Sequence, residues 1–126
     1  MMVYLLDSCV LIDYSRGHIG AADFLDSLQS PPVISVLTLT EVLSGVRNIK
    51  EERLFEKLFS TIEAIPVDTV IAHLASEYLR QYRRSHNLDP FDAVIGATAQ
   101  SHDAELATLN IKHFPMISRL EQPYVP

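Results

Sequence analysis

The sequence predicts an α/β fold: a three-layer α/β/α sandwich around a short, mostly parallel central sheet of four to five strands. Two observations lead there. Short apolar runs with β-branched members recur along the chain, and segments with helical spacing separate them. Strands that alternate with helices specify a parallel sheet covered on both faces. The chain has 126 residues, the size of one domain, so residues 1–126 are read as a single unit with one core.

The elements follow in order. Val3–Leu6 reads as a buried strand and Cys9–Tyr14 as a short helical turn. Ala21–Leu28 has helical spacing, with Phe24, Leu25 and Leu28 on one face, and Ser30-Pro31-Pro32 breaks it. Val33–Val36 is a second strand, and a helix opening at Thr38-Leu39-Thr40-Glu41 runs towards Arg47. Glu51–Ile62 carries Leu54, Phe55, Leu58, Phe59 and Ile62 at core spacing. Ala64–Val67 is a short strand that Pro66 places at a sheet edge or a strand end. Asp68–His86 is a long helix with Val70, Ile71, Leu74, Tyr78, Leu79 and Tyr82 inward. Asp89-Pro90 starts a helix that reaches Ser101, Glu105–Thr108 is a strand, and Met116-Ile117 is read as a last short one.

Composition bounds the function. Apolar residues make up 48% and charged residues 21%, ordinary for a folded globular chain. The single cysteine, Cys9, permits no internal disulfide, which fits a reducing cytosol. The opening Met1–Asp7 has no basic leader, and no apolar stretch approaches the roughly 18 residues of a membrane helix. A cytoplasmic protein without membrane contact is expected. The net charge of −6 counts against a nucleic-acid enzyme, because phosphate binding usually leaves a basic footprint. Two facts offset it. A carboxylate-rich metal site carries charge that cations cancel. The positive residues also cluster, as Arg80, Arg83 and Arg84 and as Arg47 with Lys50, although such groups serve equally as solvated helix faces.

The residues that follow the strands carry the chemistry. The first strand ends at Asp7, the helix after the second bears Glu41, a later helix opens with Asp89 and Asp92, and the fourth strand leads to Asn110. In an open parallel sheet, sites form at the carboxyl ends of the strands. Asp7, Glu41, Asp92 and Asn110 therefore have a route to one place. Each also has a structural explanation. Asp7 or Ser8 suits a helix N-cap, and Thr38 with Glu41 has the spacing of a capping box. Asp89 suits a cap before Pro90, with Asp92 favouring the helix dipole. As a set they say more. Apolar neighbours on both sides of Asp7, Glu41 and Asp92 imply partial burial. Carboxylates gathered in low dielectric repel one another unless protons or a cation intervene. Oxygen donors without a Cys/His cluster suit Mg²⁺ or Mn²⁺.

Four segments in order make the chain resemble the PIN-domain family, and within it the VapC-type toxins. They are Leu5-Leu6-Asp7-Ser8, Thr38–Val46 around Glu41, Asp92–Ala99, and Leu106–Asn110 with Phe114. The resemblance covers nearly the whole length. It implies a PIN-like sandwich and a Mg²⁺- or Mn²⁺-dependent endoribonuclease, the toxin of a toxin–antitoxin pair. By the same resemblance, Asp7 and Asp92 hold the cation, and Glu41 binds it directly or through water. Asn110 positions a water or a second ion, and Ser8 orients a carboxylate or a water. Asn110 departs from the acid that many relatives carry there; it keeps an oxygen and loses a charge, with Asp89 as a speculative compensation. The implied chemistry is metal-assisted phosphodiester hydrolysis, in which the cation polarises the phosphoryl group and acidifies a water. The implied partners are RNA, a VapB-like antitoxin that inserts an Arg-bearing segment into the acidic cleft, and a second copy through Glu51–Ile62 and Asp68–His86.

Two other classes compete. Asn110 and the acidic balance also suit a catalytically silent PIN fold used as a binding or scaffold module. A phospho-acceptor receiver domain needs paired acids after the first strand and a Lys after the last, and neither is present here. Cys9 reads as a small core residue, and the five histidines show no ligand spacing, although His113 lies close enough to Asn110 for a phosphate contact.

Overall fold

The computed structural model describes residues 2–126. The strands are only two or three residues long: β1 Tyr4–Leu6, β2 Val33–Ser35, β3 Glu63–Ile65, β4 Glu105–Ala107 and β5 Leu120–Glu121. Between them lie α1 Ser8–Ser15, α2 Ile19–Asp26, α3 Val36–Ser44, α4 Ile49–Phe59, α5 Thr69–His86 and α6 Pro90–Ser101. The strands pair in the order β3-β2-β1-β4-β5, and every pairing is parallel. The chain extends the sheet to one side of β1 with β2 and β3, then crosses to the other with β4 and β5. The order therefore reverses beside β1, and a crevice opens at the carboxyl ends of β1 and β4.

Side-chain alternation along the strands builds the three layers. Leu5 and Leu106 point into a core completed by Ile71 and Ala75 of α5 and by Ala93, Ile95, Ala97 and Ala99 of α6. Leu6 and Ala107, one residue on, point the other way, towards Val10 and Leu11 of α1, Val42 of α3 and Phe55 of α4. The central strand β1 is buried on both faces at Leu5 and Leu6, and the polar residues of the other strands, Ser35, Glu63, Glu105 and Glu121, stand at strand ends.

Local signals set the helix ends. Asp68 caps α5, its Oδ1 accepting the Ile71 N–H at 2.9 Å. Arg83, Arg84 and His86 sit in the last turn of α5, where the helix dipole favours cations. Asn87 then adopts the left-handed conformation at φ 51°, a position asparagine tolerates. That reversal buries Leu88 and delivers Asp89 to cap α6 ahead of Pro90. Asn48 caps α4, and Glu51 reaches back from the first turn so that its Oε1 accepts the Arg47 N–H at 3.0 Å.

Several boundaries differ from the sequence reading, each for a physical reason. Met116-Ile117 is not a strand. Ile117 is buried and Met116 packs beside it, and both lie against Gly96 of α6, where a Cβ would meet Met116 Cε at 2.6 Å. Two apolar residues after a proline plug a core as readily as they form a strand, and the last strand lies at Leu120–Glu121. Thr38 is not a cap: Ser35 caps α3 through the Leu37 N–H, so Thr38 and Glu41 form no capping box. Val70 is 64% exposed, since the inward stripe of α5 runs through Ile71, Leu74, Ala75, Tyr78, Leu79 and Tyr82. Helix α2 begins at Ile19 because the ring of His18 accepts the Ala21 N–H at 3.3 Å.

With Ser35 as the cap, Thr38 is left wholly buried inside α3, and its hydroxyl has no hydrogen-bond partner among the described residues. An unpaired buried hydroxyl costs about 1–3 kcal/mol, and valine has nearly the same shape. Thr38→Val should therefore raise stability by about 1 kcal/mol in urea titration. A loss of stability would show that the hydroxyl is paired.

Candidate active site

Asp7 directly follows β1 and is the N-cap of α1. Its N–H donates to the Ala107 carbonyl at 3.0 Å, which continues the β1–β4 ladder by one step. The residue is 6% exposed, and both carboxylate oxygens are engaged by the protein. Oδ1 accepts the Ser8 N–H at 2.9 Å, and Oδ2 accepts the Thr108 hydroxyl at 2.7 Å. Thr108 is completely buried, and its Oγ1 in turn accepts the Asn110 N–H at 3.0 Å. One threonine thus links the first and last site segments.

Asp7, Ser8, Glu41, Asp89, Asp92 and Asn110 line one cavity of about 390 Å³, joined by Phe91 and His113. All six residues singled out in the sequence meet there. Asp92 comes from the first turn of α6, and its Oδ2 lies 3.4 Å from His113 Nδ1. Asp89, one turn earlier, uses Oδ1 to cap the Phe91 N–H at 3.0 Å. Asn110 opens the 3₁₀ turn Ile111–His113 without capping it, so its amide is not spent on the backbone. Glu41 departs from expectation in one respect. It is exposed, although its apolar neighbours implied burial, because Leu39 and Val42 turn towards the core while its own side of the helix faces out.

Sequence reasoning passed over Thr108 and undervalued Phe91. Thr108 stood at the end of an apolar strand, and its polarity one step beyond two buried aliphatic residues was the available signal. Phe91 packs against the core and also walls the cavity, two roles that spacing alone cannot separate.

Charge is crowded here. Burial pushes the Asp7 carboxyl above its usual range; the bonds from Thr108 and Ser8 pull it down, while Glu41 pushes it up again. Asp92 is pushed up to about 6, first by burial and then by Asp7, with Asp89 and Glu41 adding to it and His113 opposing. Burial and, after it, the neighbouring Asp7 carboxylate hold the Cys9 thiol above its ordinary value, which disfavours the thiolate.

Apart from His113, the polar groups facing the cavity offer oxygen: carboxylates, a hydroxyl and an amide. That donor set suits a hard divalent cation. Among the described residues, no three Asp, Glu, His or Cys side chains converge tightly enough to clasp an ion as they stand. The fit therefore rests on donor chemistry and on repulsion that a cation relieves.

The PIN domain family model matches residues 4–119. Ribonuclease VapC10 of Mycobacterium tuberculosis is 40% identical over 123 residues, covering 95% of this chain and 92% of its own. Ribonuclease VapC19 of the same organism is 37% identical over 124 residues, covering 95% and 98%. Among solved structures, a toxin–antitoxin complex from Klebsiella pneumoniae superposes with a TM-score of 0.83 at 32% identity, covering 96% of this chain and 98% of that one. A fold with its strand order reversing beside β1, a carboxylate cavity at that point and relatives of matching length agree: the chain belongs to the PIN-domain family.

Proposed function

We propose that this protein is a divalent-cation-dependent endoribonuclease and the toxin of a toxin–antitoxin pair. The observation that carries the reading is the convergence of Asp7, Glu41, Asp92 and Asn110 on one cavity, in a chain similar to ribonucleases named VapC. Mg²⁺ or Mn²⁺, when bound, would supply Lewis-acid activation of a phosphodiester and of water. Asp7 and Asp92 would hold it, with Glu41 contributing from the rim.

The chain's own residues do the rest. Asp7 is pinned by Thr108 and the Ser8 N–H, so its carboxylate is oriented before any ligand arrives. Ser8 keeps its hydroxyl at the cavity wall for a carboxylate or a water. Asn110 presents an amide that accepts or donates to a water or a phosphate oxygen. His113, held beside Asp92, offers a donor to a phosphate at the open side. A VapB-like antitoxin would silence this acidic cavity with an Arg-bearing segment, because a guanidinium pairs bidentately with carboxylates. Support for that partner comes from the Klebsiella complex. Pairing of two copies through α4 and α5 belongs to the same reading, as does action in the cytoplasm.

Cleavage of labelled RNA by the dilute protein decides between this reading and a silent scaffold. Activity should need Mg²⁺ or Mn²⁺ and stop in EDTA. Asp7→Asn or Asp92→Asn should lower it about 10³-fold, the several kcal/mol expected of Lewis-acid stabilisation. Cleavage that survives EDTA would sink the reading. Thr108→Val removes a hydrogen bond to a charged group, worth about 1.5–3 kcal/mol, and should cost at least tenfold in rate.

The raised Asp92 pKa predicts the pH dependence of the metal-free protein. Below about pH 4 the carboxyl is neutral both folded and unfolded, and burying it carries no penalty. From there to about pH 6 the unfolded chain ionises first, so stability falls as pH rises. In EDTA the melting temperature should therefore be lower at pH 7 than at pH 5. Asp92→Asn should raise it at pH 7 by about 3–5 °C, roughly 1 kcal/mol. An unchanged or lower melting temperature for Asp92→Asn would contradict the crowding.

A further inference from the structure

A second cavity, about 650 Å³, opens where the end of α1 meets the start of α4, and its character is opposite to the first. Arg16, Arg47, Lys50, Arg53 and Lys57 line it, five of the ten Lys and Arg residues in a chain of net charge −6. One carboxylate, Glu51, faces them, and Arg47 neutralises it with Nη2 at 2.6 Å and Nε at 3.0 Å. Among the described residues, no ion pair occupies Arg16, Lys50, Arg53 or Lys57. Lys50, Arg53 and Lys57 recur at helical spacing and share one face of α4. Leu54 is the only aliphatic residue in the lining, and the methylene stems of the basic side chains add apolar surface beneath their charged ends.

The two cavities are joined by shared elements. Helix α1 carries Asp7 and Ser8 to the acidic cavity at its start, and Ser15 and Arg16 to the basic one at its end. At 1.5 Å per residue, Ser8 to Ser15 spans about 10 Å, within reach of a few nucleotides of single strand. Helix α3 places Glu41 at the first cavity, and Arg47 just beyond the helix reaches the second. A polyanion is repelled by the four carboxylates of the acidic cavity, so its binding energy must come from elsewhere on the surface.

We propose that the α1–α4 cavity binds the phosphate backbone of single-stranded RNA, a few nucleotides from the bond placed at the acidic cavity. This rests on the ribonuclease reading for the second half of that statement only. Lys and Arg contacts to phosphate carry no base information, so the cavity contributes affinity and placement rather than sequence choice.

The test uses the full chain in EDTA with a labelled single-stranded oligoribonucleotide, titrated over a range of salt. Arg53→Glu with Lys57→Glu changes two exposed residues on α4 and should weaken binding at least tenfold at low salt. The slope of log K against log salt should become shallower by about 1–2, since each lost single-strand phosphate contact is worth about 0.7. Hydrolysis of bis(p-nitrophenyl) phosphate with Mn²⁺, a diester too small to span both cavities, should stay at the wild-type rate. Arg53→Gln with Lys57→Gln should show a smaller loss in the same direction. Unchanged affinity and slope would overturn the proposal. So would retained RNA affinity with loss of a co-expressed antitoxin, which would assign the cavity to an acidic protein segment. A wild-type chain that binds RNA here yet hydrolyses neither RNA nor the small diester would sink the nuclease reading and leave this cavity standing.

Discussion

The hydroxyl of Thr108 donates to Asp7 Oδ2 at 2.7 Å, and around that bond the two strands flanking the crevice are locked together. Asp7 must be buried, because it continues the central strand one step past its apolar run. To serve as the proposed cation ligand it must also be ionised. Burial alone favours the neutral acid. Thr108 and the Ser8 N–H offset part of that cost by hydrogen-bonding the charged form. Thr108 passes the constraint on, since its oxygen also accepts the N–H of Asn110. A single side chain therefore sets the position of the first carboxylate and of the last polar residue of the site.

Topology explains why these groups meet at all. In the order β3-β2-β1-β4-β5, chain segments leave β1 and β4 in different directions and leave a gap between them. Asp7 and Asn110 enter the gap from the strands, while Glu41 and Asp92 enter from helices on opposite faces of the sheet. Three acids on three elements resist collapse, because each is anchored by a separate patch of core. Their repulsion then cannot relax by local movement, and it adds to burial, the larger cause, in raising the pKa of Asp92.

Much of this was legible in the sequence, and the exceptions share a cause. Strands, layers and the convergence of Asp7, Glu41, Asp92 and Asn110 follow from apolar runs and from what stands after them. Errors arose where a short signal has two physical uses. Thr38 and Glu41 have the spacing of a capping box, yet Ser35, three residues earlier, had already capped the helix. Met116-Ile117 has strand chemistry, yet the missing side chain of Gly96 leaves a hollow that these residues fill. Glu41 has apolar neighbours, yet helical periodicity turns its own face outwards. The role of Thr108 depends on a contact across 101 residues, which no local pattern encodes.

The acidic balance of the chain looked like an argument against a nucleic-acid enzyme, and the distribution of charge changes its meaning. Net charge governs long-range attraction, but over a Debye length of about 8–10 Å the local sign dominates. The four carboxylates at one end of α1 and the basic side chains at its other end are separated by about that distance. A phosphate chain lying along the helix would meet attraction at one end and, at the other, a cavity whose negative charge only a cation offsets. On the proposed reading, binding and chemistry would be divided between two places on one scaffold. Strong positive charge beside the carboxylates would compete for them as an internal salt bridge, as Arg47 does for Glu51. Keeping the cations a helix length away leaves Asp7 and Asp92 unpaired by Arg or Lys, with only His113 near Asp92. That separation would let the proposed metal site and the proposed polyanion site share so small a protein.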